Sequence, residues 1–255
     1  MKRSREEVNT RRARLALMIG QEGYLPIREL CQRMNISEAT LRRDLSVLDQ
    51  EQRITRTRGG ALTDSHPRFP TYAQRRQSRW EEKQRLGRLA LSLLTEGSTC
   101  YFDAGTTVSA VAEALVERPV PGLIVVTPSI PVAEILSNSP GIEVFIPGGQ
   151  LFPRESVLLG DRAQDALQAW TFDTAILGVQ AFNAAGLWNT REIVVRLQQA
   201  ARARSRRCYY CADSSKCGEQ GDIFLSNWSP RMELLTTTPP SRLRACAIPP
   251  GSVFK

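Results

Sequence analysis

Short apolar runs alternate with amphipathic stretches from Gly97 to Asp213. "TCYFD" precedes a predicted helix over 108–117, and "LIVVT" precedes one over 131–137. "IEVFI" leads through an irregular stretch around Gly148-Gly149 to a helix over 161–169. "TAILGV", a helix over 191–204 and "RCYYCAD" complete the series. This alternation admits few architectures. Parallel strands need crossover connections, and helices in those connections cover both faces of the sheet. The expected fold is therefore a mostly parallel α/β domain over residues 80–255. Its first helix carries Leu86, Leu89, Ala90 and Leu93 on one side.

The first 62 residues obey a different period. Leu15, Met18 and Ile19 mark a helix stopped by Gly23. After Pro26, residues Ile27, Leu30, Cys31 and Met34 fall at i, i+3, i+4 and i+7. Asn35-Ile36 makes a turn, and Ser37 caps a third helix, with Ile36 and Leu41 spaced as a hydrophobic staple. Leu41, Leu45 and Leu48 form its inner stripe. Ala39, Arg43 and Ser46 lie opposite, flanked by Thr40 and Arg42. "RITRTRGGAL" reads as a hairpin turning at Gly59-Gly60. Together these make a winged helix-turn-helix over 1–62. Residues 63–79, punctuated by proline and polar, read as a linker.

Charge agrees with that division. Residues 1–88 hold 20 Lys/Arg against 11 Asp/Glu, whereas residues 89–255 hold 14 against 15. The net +8 of the chain thus resides in its first third, as a polyanion-binding end requires. Helices of this type present the N-terminal part of the last helix to base edges, which selects Ser37, Glu38, Thr40, Arg42 and Arg43. Arg53, Arg56, Arg58, Gly59 and Gly60 on the wing would meet phosphates of double-stranded DNA and set register. The plainer alternative for Arg42 and Arg43 is a solvated helix face.

Other classes recede. No uncharged apolar run is long enough to span a bilayer or serve as a signal peptide, so a cytoplasmic protein is expected. Cys208 and Cys211 of "CYYC" lie on a strand, where they would point to opposite faces. The single histidine, His66, is distant. All six cysteines are expected as free thiols, with no metal and no cofactor.

Where "TCYFD" hands over to its helix, Asp103-Ala104-Gly105-Thr106-Thr107 offers backbone N–H groups, a helix N-terminus and two hydroxyls to an anion. An ordinary capped turn is the alternative. Ligands of open α/β sheets collect at the carboxyl ends of strands, which adds Thr127, Gly148, Gly149, Asp213 and Lys216.

The stretch "ISEATLRRDLSVLDQEQRITRTRGGAL" resembles the winged helix of the DeoR family of bacterial transcriptional regulators. The resemblance continues through "EEKQRLGRLA", "GSTCYFDAGTT", "IPGGQL", "LLGDRA", "AILGV" and "DSSK", in the family's order and over nearly the whole chain. It implies a repressor of a carbohydrate uptake or catabolic operon, released from operator DNA by a phosphorylated sugar or sugar acid. Asp103 would accept from a ligand hydroxyl, and Lys216 would counter its charge. Helix-turn-helix proteins read paired half-sites, so a homo-oligomer is expected.

The family's effector domain is similar to ribose-5-phosphate isomerase, which makes a sugar-phosphate isomerase with an accessory DNA-binding arm the rival reading. Those enzymes carry an acidic D-x-x-[DE] run before a Lys-Gly-rich stretch. The comparable "GIEVFIPGGQ" has only Glu143 and no lysine. Two departures bear on ligand identity: Thr127-Pro128-Ser129 stands where many members have Thr-Asn-Ser or Thr-Asn-Asn, and "VQAFNAAG" lacks the usual aspartate.

Overall fold

The computed structural model describes residues 5–22, 24–51, 53–56, 59–62, 70–229 and 232–253. The chain divides into two units, Met1–Pro70 and Thr71–Lys255. In the first, helix α1 (Arg5–Glu22) is followed by strand β1 (Tyr24–Pro26), α2 (Ile27–Met34), α3 (Glu38–Gln50), β2 (Thr55–Arg56) and β3 (Gly60–Leu62). Leu15 and Ile19 of α1, Leu30 of α2, and Leu41, Leu45 and Leu48 of α3 close into one core with Ile54 and Ala61. Asn35 adopts φ 50°, a left-handed conformation that asparagine tolerates, and this ends α2 sharply enough for α3 to turn away. Ser37 Oγ then accepts the Thr40 N–H at 3.3 Å.

Two features depart from expectation here. Tyr24–Pro26 is a strand, and the sheet order is β1-β3-β2. Gly60 also lies within β3 rather than at the hairpin turn, paired with Pro26. A Cβ on Gly60 would sit 2.2 Å from the Leu25 carbonyl oxygen, so glycine is required by strand approach.

The second unit opens with α4 (Tyr72–Gln77), which occupies part of the stretch read as a linker. Thr71 and Gln74 form a capping box around its first turn, a signal that the surrounding prolines mask. Residues 63–69 lie outside the described residues.

Next come α5 (Trp80–Ala90), β4 (Thr99–Phe102), α6 (Thr106–Glu117), β5 (Leu123–Val126), α7 (Ile130–Leu136) and β6 (Ile142–Phe145). A hairpin of β7 (Gln150–Phe152) and β8 (Val157–Leu159) precedes α8 (Asp161–Ala166), β9 (Phe172–Gly178), β10 (Ala181–Asn183) and β11 (Gly186–Asn189). Helix α9 (Glu192–Ala203), β12 (Ser205–Ala212), β13 (Ile223–Ser226), β14 (Met232–Thr236) and α10 (Pro240–Ala245) complete the described elements.

The main sheet has the order β14-β12-β9-β4-β5-β6, parallel at every pairing. One face packs Leu86, Val108 and Val111 on Phe102; the other packs Phe152, Leu197 and Val195 around Tyr101 and Leu177. Cys208 belongs to one of these cores and Cys211 to the other, so the two thiols cannot share a metal ion. All six cysteines are free. Strand β14 and the small antiparallel sheet β10-β11-β13 extend the alternation read from sequence.

Candidate functional site

On α3, Glu38 and Arg42 pair at i, i+4, with Arg42 Nε 2.8 Å from Glu38 Oε1, both exposed. Arg43 is exposed one position further round the helix, and among the described residues it makes no ion pair. Ser37 and Thr40 bond each other through their hydroxyls at 3.0 Å. The outward face of α3 therefore offers one arginine held by a neighbour and one extended into solvent.

Asp44, on the inner side, is 2% exposed and takes Arg11 Nε at 2.6 Å and Arg12 Nε at 3.0 Å. Part of the basic N-terminus is thus a structural tie between α1 and α3, a role that charge counting does not reveal. On the wing, Arg53 lies 3.5 Å from Glu51, and the Arg56 backbone N–H donates to Asp49. The Gly59 carbonyl accepts the Ile27 N–H, and Gly60 is buried in β3; these glycines shape the wing. Arg58 lies outside the described residues.

In the second unit the strand-to-helix loop after β4 is built around Asp103. Its carboxyl is 3% exposed, and Oδ2 accepts the Gly178 N–H at 3.1 Å and Gln198 Nε2 at 2.5 Å. Burial pushes Asp103 up to about 6, against the pull of those hydrogen bonds and of the Ala104 N–H. The group expected to meet a ligand hydroxyl instead locks the ends of β4 and β9 together through α9.

Gly105 has φ 128°, where an L side chain is strained, and a Cβ there would meet nothing within 4 Å. No side chain caps α6, so the first-turn N–H groups at Thr106 and Thr107 are available to an anion.

Asp213 caps a single 3₁₀ turn (Ser214–Lys216), with its Oδ1 accepting the Ser215 N–H at 3.0 Å. Glu82 on α5 accepts the Ser214 N–H of this turn at 2.9 Å, and its neighbour Lys83 is 4% exposed. Its ammonium donates to the carbonyls of Arg75 and Ser78. Burial lowers Lys83 to about 8; Asp213 opposes that shift, while the like charges of Lys216 and Arg75 add to it. Glu82 is also buried in part, yet hydrogen bonds from Thr237, Ser214 and Arg79 hold it down to about 2.

The remaining expected residues sit in separate local contacts. Thr127 is buried, with its hydroxyl accepting the Ser129 N–H at 3.1 Å. Gly148 and Gly149 have φ 84° and 115°, and a Cβ on Gly149 would lie 2.7 Å from the Leu159 carbonyl oxygen. Those glycines admit the β7–β8 hairpin. Sequence reading missed Lys83, Arg75 and Gln198. Lys83 shares the buried stripe of α5 with Leu86, Gly87 and Ala90, and a lysine at such a position was the available signal.

A winged helix followed by a parallel α/β unit, with an uncapped helix N-terminus and a buried lysine on α5, fits a class: DNA-binding regulators with a small-molecule sensor. The model of the DeoR-like helix-turn-helix domain matches residues 11–66, and that of the DeoR C terminal sensor domain matches residues 78–236. The HTH-type transcriptional repressor GlcR of Bacillus subtilis (strain 168) is 32% identical over 199 residues, 78% of this chain and 76% of its own. The glycerol-3-phosphate regulon repressor of Escherichia coli (strain K12) is 30% identical over 224 residues, 88% of each chain. The protein belongs to the DeoR family of transcriptional regulators. A ribose 5-phosphate isomerase from Methanocaldococcus jannaschii shares part of the chain path, with a TM-score of 0.41 at 13% identity over 56% of this chain and 58% of that one.

Proposed function

We propose that the protein represses a carbohydrate uptake or catabolic operon and is released from its operator by a phosphorylated sugar or sugar acid. The observation that carries this reading is the uncapped N-terminus of α6 in a unit that also buries Lys83 beside Lys216 and Asp213. Phosphate monoesters suit such a site because first-turn N–H groups, helix dipole and ammonium groups all favour a dianion. In this reading Gly105, Thr106 and Thr107 hold the phosphate, Lys216 and Lys83 balance its charge, and Asp103 fixes the loop. Arg43 and Arg42 read bases, and the wing arginines neutralise backbone phosphates.

A sensor fits the carboxylates better than an isomerase does. A catalytic base must be within reach of the proton that it takes. Asp103 is enclosed by Gly178 and Gln198, Asp213 is turned onto Ser215, and Glu192 pairs with Arg196 at 2.6 Å. The site reading accordingly assigns no catalytic residue.

Pairing of half-sites calls for a homo-oligomer acting on DNA in the cytoplasm. No helix among the described residues is long and apolar enough to cross a membrane. The test is operator footprinting and affinity with a panel of sugar phosphates, beside a turnover assay on pentose and hexose phosphates. Release of DNA without turnover supports the reading; isomerisation at enzymatic rates overturns it.

A further inference from the structure

Helix α4 brings a second cation to the sensor loop. Tyr72 and Arg75 lie one turn apart on α4 and so share a face. The Tyr72 hydroxyl donates to Ser109 Oγ at 2.8 Å, and that hydroxyl donates to the Gly105 carbonyl at 3.1 Å. This face of α4 is therefore tied to the residue that starts α6. The other end is held by Lys83, which bonds the Arg75 and Ser78 carbonyls, and the Tyr72 N–H donates to the Arg154 carbonyl at 2.8 Å.

Within this frame the Arg75 guanidinium is incompletely partnered. Its Nε is buried with no hydrogen-bond partner, and among the described residues it makes no ion pair. The carboxylate that acts on it, Glu155, is bridged to Arg191 at 3.4 Å. Burial lowers the Arg75 pKa, and the nearby positive charge of Arg154 adds to this. A guanidinium nitrogen buried without a hydrogen-bond partner is costly, and such a cost is relieved when an anion accepts from it.

Resting on the reading of the α6 loop as a phosphate sensor, we propose that Arg75 is an effector-binding residue that clamps the phosphate of a sugar phosphate monoester against the N-terminus of α6. Arginine suits this role because its planar donors engage two phosphate oxygens at once. Arg75 also sits on the first helix after Pro70, where the chain leaves the DNA-binding unit. Phosphate occupancy is thereby held by the element that begins the sensor, and α4 is the segment whose order changes with ligand.

The test uses the full chain, with inorganic phosphate, glycerol 3-phosphate and hexose 6-phosphates as probes and the unphosphorylated sugars as controls. Calorimetry gives affinity, and thermal melting gives stability with and without probe. Arg75→Met should melt higher than wild type without ligand, because an unpaired charge is gone, and should bind the phosphorylated probe at least about tenfold more weakly. Arg75→Lys should fall between, and Arg76→Gln, which removes an exposed partner of Glu113, should bind as wild type. Amide exchange across 71–79 should slow with probe in wild type and remain unchanged in Arg75→Met.

Wild-type affinity in Arg75→Met, with binding lost in Thr106→Val, overturns the role of Arg75 and leaves the α6 site standing. Unchanged binding in both variants, or binding of no phosphorylated probe by wild type, overturns the clamp and the site together.

Discussion

The two units hold their cations in opposite ways. On α3, Arg42 and Arg43 lie exposed on a helix face whose far side is a leucine stripe. In the sensor, Lys83 is buried, and Arg75 has its Nε withdrawn from water. Exposed arginines reach a polyanion through water and are screened by salt, which suits a partner carrying many charges. Buried cations gain little until a small anion enters, and then act in a medium of low dielectric. Under the proposed function, the same side-chain chemistry would serve a long, salt-sensitive contact in one unit and a short, selective one in the other.

The largest expected effect blurs that contrast within the first unit. Asp44→Ala would strip the buried partner from Arg11 and Arg12 and should cost about 3 kcal/mol or more of stability in the winged helix. Thermal melting and operator binding would both register the loss. If both stay at wild-type values, the two arginines are free surface cations and the structural tie is unimportant.

Asp103 provides the corresponding probe of the sensor. Its folded value, about 6, lies above the ordinary carboxylate range. The stability it contributes is therefore present at low pH and lost as pH rises through about 6. A shift of this size corresponds to roughly 3 kcal/mol between pH of about 4 and 7. Subtracting the pH profile of Asp103→Asn from that of wild type should isolate this loss. A flat difference would place the carboxyl in contact with water.

Smaller effects separate base reading from backbone contact. Arg43→Ala should reduce discrimination between operator and random DNA by about 1–3 kcal/mol if the arginine engages a guanine. Arg56→Ala should weaken binding to every sequence and flatten the salt slope by about one unit. Equal effects of the two substitutions on operator and random DNA would refute the assignment of α3 as the reading helix.

What was legible in the chain follows the reach of local signals. Leu41, Leu45 and Leu48 repeat with the helical period, and Ser37 announces the cap, so α3 could be placed from residues alone. Strand β1 could not: three residues carry too little alternation, and their partner β3 lies some thirty-five residues on. Strand β14 joins the sheet after a stretch with no helical crossover pattern and was missed for the same reason.

In the candidate site, Gly105-Thr106-Thr107 could be proposed because a strand end, a glycine and a helix start adjoin in sequence. Lys83 and Arg75 come from α5 and α4, and only folding ties α4 to the start of α6 through Tyr72 and Ser109. Composition misled at α4, where prolines and polar residues obscured the Thr71–Gln74 capping box. Asp103 misled differently: its position was read correctly, but Gln198, ninety-five residues later, occupies its carboxylate.

The central claim is that a phosphorylated ligand at the α6 loop controls operator affinity, and a linked system permits this only if the ligand distinguishes free from DNA-bound protein. The direct test is operator affinity of wild type, Thr106→Val and Lys216→Ala, each with and without a sugar-phosphate panel. Wild type should release DNA with one class of phosphorylated sugar, whereas both variants should bind operator normally and remain bound at the same ligand concentrations. Release of both variants at wild-type concentrations would contradict the account and reduce the loop to a turn.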